Sequence, residues 1–279
     1  MQIVSGGVTN VGRVRTNNED SFRIVESMNL YILSDGMGGE AHGEIASAMA
    51  VETVAKHCAE TEVDPAMTIF ADMPSAWSEK TRRLSSAVHL ANKNIFDSAQ
   101  KHTEQRGMGA TITAAWIDGT RLSIAHVGDS RAYLLRSGSL QQLTSDHSLV
   151  AEQVRRGILT PAEAERSDMQ SVLLRALGAH DEIEVDSEEH TLFGSDVLLI
   201  CSDGLTRMVT EPEIAGTLQA EPDPTRASER LVELANEQGG ADNVTAIVVR
   251  IGEEPKGWFS WLRRAPRKNT ATNGSAGGK

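Results

Sequence analysis

Cysteine is scarce in this 279-residue chain: there are two, Cys58 and Cys201. Both sit in apolar runs and read as small core residues of a reduced, cytoplasmic protein. Two thiols cannot supply a zinc site, and a chain of this length buries most of its surface without disulfide staples. No apolar run reaches 18 residues, so no membrane span is expected. The opening Met1-Gln2-Ile3-Val4 lacks a basic n-region and an apolar h-region, so no signal peptide is expected. Positive charge is also short. The net charge is −12, and an acidic body argues against nucleic-acid binding. Residues 253–279 hold two acids and six bases, a local +4 that leaves −16 on residues 1–252.

What is present fits a globular protein. AVILMFWYC residues make up 39%, and 24 glycines bring the total close to the roughly 45–50% usual for such domains. Residues 1–252 contain no linker-like break and read as one domain. Pro255 to Lys268 is aromatic then basic, with Trp258, Phe259 and Trp261 ahead of Arg263 and Arg264. Residues 269–279 have the composition of a disordered tail. Contact of this tail with a membrane is the less favoured reading, because Pro255 and Pro266 confine the segment to about ten residues.

Strand-like runs cover Val8 to Gly12, Ser21 to Val25, Leu30 to Ser34, Val197 to Cys201 and Val244 to Ile251. Asp118-Gly119-Thr120 joins one pair of strands (111–117 and 121–127). Ser137-Gly138-Ser139 joins another (131–136 and 140–143), so two hairpins are expected. Helical spacing marks Gly43 to Cys58 and Ser75 to Lys101. Two later helices, Pro212 to Leu218 and Pro224 to Glu237, each carry a proline near the first turn. Between about 147 and 175 lie short helical pieces, Ser148 to Arg156 and Pro161 to Arg166. The second opens on Thr160-Pro161-Ala162-Glu163, a capping box, and the segment reads as a flap over a site. The fold class is α+β: a layered αββα arrangement with helices on largely antiparallel sheets.

One pattern recurs. Apolar strands run into Asp beside Gly at Asp35-Gly36, Gly128-Asp129 and Asp203-Gly204, and Asp242 stands just ahead of the strand starting at Val244. Any one such junction is an ordinary turn. Four in an acidic chain suggest gathered carboxylates, which repel one another and call for a cation. With no Cys or His cluster to hand, the ion would be a hard one, Mg²⁺ or Mn²⁺, or Ca²⁺ if the site is loose. Val14-Arg15-Thr16-Asn17-Asn18-Glu19-Asp20 adds an arginine suited to gripping a phosphate.

The chain resembles the metal-dependent protein phosphatases, the type 2C serine/threonine phosphatases, in their bacterial form. The resemblance rests on VRTNNED at 14–20, SDGMGGEAHGEIAS at 34–47, GMGAT at 107–111 and HVGDSRAYLLRSGSLQQLTSDHS at 126–148. It continues through LLRALG at 173–178, LLICSDGLTRMV at 198–209 and GGADNVTAIVV at 239–249, in family order over residues 1–252. It implies a four-layer αββα sandwich and a two-metal site. Asp35 would bridge the two ions and the Gly36 carbonyl would bind the second. Asp203 and Asp242 would complete the first, while Glu19 and Asp20 would hold metal-bound waters. Arg15 would grip the phosphate, and Asp129 would belong to a third, weaker ion. A hydroxide bridging the ions would attack phosphorus in line, with no phospho-enzyme.

Animal members carry His after the Asp-Gly, where this chain has Met37. A metal-bound water is therefore the expected proton donor, ahead of His42. His126 and His147 read as structural. The expected substrates are phosphorylated proteins, with a serine/threonine kinase as the opposing enzyme and a monomer as the working form. The alternative from another class is a catalytically silent, phosphatase-like scaffold, which would be expected to have lost metal ligands; none is lost here.

Overall fold

The computed structural model describes residues 1–38, 42–64, 73–164 and 166–252. The basic and aromatic tail at 253–279 lies outside the described residues. Two antiparallel sheets stack face to face. One runs in the order β1 (Gln2–Asn10), β11 (Val244–Gly252), β10 (Val197–Cys201), β7 (Arg131–Arg136), β8 (Ser139–Gln142). The other runs β2 (Asp20–Val25), β3 (Leu30–Met37), β5 (Ile112–Asp118), β6 (Arg121–Val127), β9 (Asp186–Thr191), with the two-residue β4 (Gly109–Ala110) paired to the end of β3.

The two-residue period of each strand divides its side chains between an inner and an outer core. Tyr31 and Leu33 of β3 meet Leu198 and Ile200 of β10 and Ile247 and Val249 of β11 between the sheets. Leu30 and Ile32 point the other way, onto α1 (Gly43–Val63) and α2 (Glu79–Lys101). Leu199 and Cys201 turn toward α5 (Asp203–Thr206), α6 (Glu211–Ala220) and α7 (Pro224–Glu237). The four layers of the sequence reading follow from these three cores. Cys58 and Cys201 are free and buried. No helix among the described residues is long and apolar enough to cross a membrane.

Both hairpins form. Asp118 pairs with Arg121, and Arg136 pairs with Ser139. In the second, Ser137 and Gly138 both take positive φ (51° and 83°), the geometry that suits the right-handed twist of the flanking strands. Helix α7 starts on Asp223, whose side chain accepts from the Arg226 N–H at 2.9 Å, with Pro224 at the first helical position.

Several boundaries differ from the sequence reading. β3 runs past Ser34 through Asp35 and Gly36 to Met37, because β4 supplies a partner: Gly36 opposes Ala110 and Met37 opposes Gly109. Asp-Gly is a turn signal only where no neighbouring strand takes up the backbone. α2 begins at Glu79, since Ser78 is its extended N-cap. α1 continues to Val63 through a largely exposed last turn that carries little apolar periodicity. β9, Asp-Ser-Glu-Glu-His-Thr, has no apolar alternation at all. It is an edge strand held to β6 by backbone pairing.

The flap comprises α3 (Leu149–Arg155) and α4 (Pro161–Ala164), neither with a buried residue. Its base is closed by backbone bonds from Leu149 to Val172 (2.8 Å) and from Leu174 to His147 (2.7 Å).

Candidate active site

The acidic residues come together at one end of the sandwich. β2 and β3 are antiparallel, and Asp20 directly opposes Asp35. Two like charges facing each other across a strand pair destabilise a sheet, so their retention calls for a compensating cation. In the second sheet β10 and β11 are antiparallel neighbours, so Asp203 just after β10 and Asp242 just before β11 fall at the same end. Asp129, following β6, joins them. Asp35, Gly36, Asp129, Asp203 and Asp242 line one cavity of about 530 Å³ together with Arg15 and Glu19. Ser171 and Leu173 of the flap close one side of it.

A shell of neutral donors sets the geometry. Ser202 and Thr245 both donate to Asp20 Oδ2, at 2.8 and 2.6 Å. The Asp35 N–H donates to Thr111 Oγ1 at 3.0 Å, and the Thr111 N–H returns a bond to the Asp35 carbonyl at 2.8 Å. Asn243 ties the loop between β1 and β2 to the start of β11: its Oδ1 accepts from the Glu19 N–H at 2.8 Å, and its amide donates to the carbonyls of Asn17 (2.8 Å) and Val11 (3.0 Å). Gly36 is required by close approach, because a Cβ there would lie 2.2 Å from the Gly43 carbonyl oxygen at the start of α1.

The electrostatics are those of a cation site. Burial, reinforced by Asp203 and Asp242, pushes the Asp20 carboxyl up to about 7. Burial and then the Asp203 charge push Asp129 up to about 7. Asp35 is raised well above the usual carboxylate range by burial and by Asp20, Asp203, Asp129 and Asp242. Asp203 is raised by burial, with Arg207 pulling the other way. Glu19 is raised by burial and by Glu44, against the pull of Arg15.

Two arginines are interleaved with these carboxylates. Arg15 Nη2 and Nε each lie 3.0 Å from an oxygen of Asp242. Arg207 Nη2 lies 2.5 Å from Asp203 Oδ2 and 3.8 Å from Asp129 Oδ2. Among the described residues no three His, Cys, Asp or Glu side chains close into a ready-made coordination shell, and the guanidiniums account for part of the neutralisation. The donor set nonetheless fits a hard divalent ion. It consists of carboxylates and backbone carbonyls, and the buried Asp20 Oδ1 and Asp203 Oδ1 have no hydrogen-bond partner.

All the residues singled out from the sequence, Arg15, Glu19, Asp20, Asp35, Gly36, Asp129, Asp203 and Asp242, lie at this end of the fold. Arg15 is engaged with Asp242, so gripping a phosphate requires it to turn; its side chain is 56% exposed, which leaves it that freedom. Arg207 and Asn243 were within the recognised stretches but had no role assigned. Their adjacency to Asp203 and Asp242 was the available signal. His126 is bonded to Thr113 Oγ1 (2.9 Å) and the Ser145 carbonyl (3.2 Å), and His147 to the Gly128 N–H (3.0 Å) and Asp186 (3.1 Å). His42 caps the start of α1 with φ +66° and turns its ring toward Glu44, 3.5 Å away.

The profile of the family described as Protein phosphatase 2C matches residues 12–242, and the chain belongs to that family. It is 37% identical over 252 residues to the serine/threonine phosphatase stp of Listeria monocytogenes, covering 89% of this chain and 96% of that one. Among solved structures it is similar to the Mycobacterium tuberculosis serine/threonine phosphatase PstP/Ppp, with a TM-score of 0.78 and 35% identity over 90% of this chain and 99% of the other. A second structure, the PstP catalytic domain in complex with two manganese ions, is similar at a TM-score of 0.76 and 35% identity, again over 90% and 99%.

Proposed function

We propose that residues 1–252 form the catalytic unit of a phosphatase that hydrolyses phosphoserine and phosphothreonine in proteins with two divalent ions, Mn²⁺ or Mg²⁺. Membership of the family makes the chain a metal-dependent protein serine/threonine phosphatase. Asp35, the Gly36 carbonyl, Asp203 and Asp242 would hold the ions, with Glu19 and Asp20 behind them. When bound, such a pair brings a water close to hydroxide at neutral pH and neutralises phosphoryl oxygens. The chain's own part is positional. Ser202 and Thr245 hold Asp20 by one oxygen and leave the other free. Thr111 holds the end of β3, and Asn243 holds the loop bearing Glu19. Arg15, at the mouth of the cavity, exchanges Asp242 for the substrate phosphate, where its fork neutralises charge that grows in the transition state. No histidine among the described residues lines the cavity, so the leaving alkoxide takes its proton from water.

The observation that carries this reading is the convergence of five aspartates and Glu19 on one end of the fold, with buried oxygens left unpartnered. A phosphomonoester of serine or threonine is itself the product of phosphoryl transfer to a hydroxyl, so the enzyme that supplies the substrate is a serine/threonine kinase. Incubation with a phosphothreonine peptide and Mn²⁺ should release phosphate. Asp203→Ala or Asp242→Ala should lower that rate by on the order of 10³-fold, a loss of the size seen when charge stabilisation of the transition state is removed. Turnover that persists in excess EDTA contradicts the proposal, and calorimetry that finds no divalent-ion binding favours the silent scaffold instead.

A further inference from the structure

Among the described residues, Arg207 is the one cation lining the cavity that the phosphatase reading leaves without a task. It follows Asp203 by four residues, just past the short α5, and its side chain is 25% exposed. Its Nη2 lies 2.5 Å from Asp203 Oδ2 and 3.8 Å from Asp129 Oδ2, and its Nη1 lies 3.9 Å from Asp242 Oδ2. The two oxygens of Asp203 are thereby divided: Oδ2 is committed to the guanidinium, and Oδ1 is buried without a partner. Arg207 also lines both the catalytic cavity and a second one of about 930 Å³ beneath the flap, so with Asp129 and Asp203 it stands on the boundary between them.

We propose that Arg207 is a tethered counter-ion that takes the place of a divalent cation between Asp203 and Asp129, so that the chain loads two ions and not a third. The inference rests on the two-ion reading above. Charge balance supports it. Glu19, Asp20, Asp35, Asp129, Asp203 and Asp242 bring six negative charges, which two divalent ions, Arg15 and Arg207 neutralise. A further ion between Asp129 and Asp203 would lie within a few ångströms of a fixed positive charge, at a separation where like charges repel strongly in a partly dry site. Arginine suits this task because its guanidinium stays charged and presents several donors at once, one set to Asp203 and the other toward Asp242. A metal ion there would come and go with its concentration, whereas the side chain is always present. Arg207 acts through the carboxylates and touches no reacting atom, so it is a positioning residue.

The test is a count of Mn²⁺ ions on the full chain, with free Mn²⁺ followed by electron paramagnetic resonance across a titration. The wild type should take up two ions. Arg207→Gln should gain a third, weaker one, because the positive charge that excludes it is gone. Adding Asp129→Asn to that variant should abolish the third ion again. Arg207→Lys, which keeps the charge, should bind two, and Arg207→Ala, which also removes it, should bind three and gives the answer should the glutamine variant fold poorly. Three ions on the wild type, or two on Arg207→Gln with native circular dichroism, overturns the inference while leaving the phosphatase reading intact. No Mn²⁺ uptake by the wild type overturns the metal-centre reading itself.

Discussion

His126 illustrates how a buried polar side chain is made safe. Its two ring nitrogens are taken by Thr113 and the Ser145 carbonyl, and its ring lies 4.8 Å from that of His147. Burial, and secondarily His147, depress its pKa from 6.5 to about 4. The folded protein therefore refuses a proton that the unfolded chain accepts between those two values. The stability this represents is present above about pH 6.5 and is lost as pH falls toward 4. The raised carboxyls of Asp20 and Asp129 act with the opposite sign, so the readout is a difference between proteins. Urea melts of wild type and His126→Gln at pH 7 and 4.5 should show a shallower acid loss in the variant, by up to about 3 kcal/mol. Parallel pH profiles would remove the assignment.

Among the elements, the flap is lightly anchored. α3 and α4 bury no residue, and the pair is tied to the body chiefly by the backbone bonds at its base. What holds α4 is local. Thr160 Oγ1 accepts from the Glu163 N–H at 3.3 Å, and the Glu163 carboxylate accepts from the Thr160 N–H at 2.7 Å. Thr160→Ala should cost α4 about 1 kcal/mol, visible as faster amide exchange at Ala162 to Ala164. Global Tm should not move. A lowered Tm would mean that the flap unfolds together with the sandwich. The same Thr-x-x-Glu pattern recurs at Thr210 and Glu213, where it opens α6.

In the whole molecule the sheets act as one body, because the core between them draws on both. Ile247 of β11 is fully buried there. Ile247→Ala should destabilise the protein by about 2–5 kcal/mol in chemical denaturation, from lost burial and the cavity left behind. A change below 1 kcal/mol would mean that the sheets repack freely. The site depends on the same contact, since Asp20 and Asp35 come from one sheet and Asp203 and Asp242 from ends of the other. The hydrogen bonds from Ser202 and Thr245 to Asp20 stitch the two sheets together at the end that carries the acidic cluster.

Much of this was legible in one dimension. The unbroken apolar runs of Leu30 to Leu33 and Val197 to Cys201, the Asp-Gly and Ser-Gly turns, and the capping box at Thr160 are settled among neighbours along the chain, so reading the residues in order recovers them. The recurrence of Asp at strand ends was visible too, and with it the need for a cation. What came from long-range packing is different in kind. β3 extends through Asp35 and Gly36 only because β4 lies alongside, and β9 is a strand only because β6 offers it a free edge. Arg207 meets Asp129, 78 positions earlier, through the stacking of the two sheets, and no local periodicity encodes that meeting. Backbone conformation answers to near neighbours, whereas the balance of charge in the pocket answers to chain segments that only folding brings within a few ångströms.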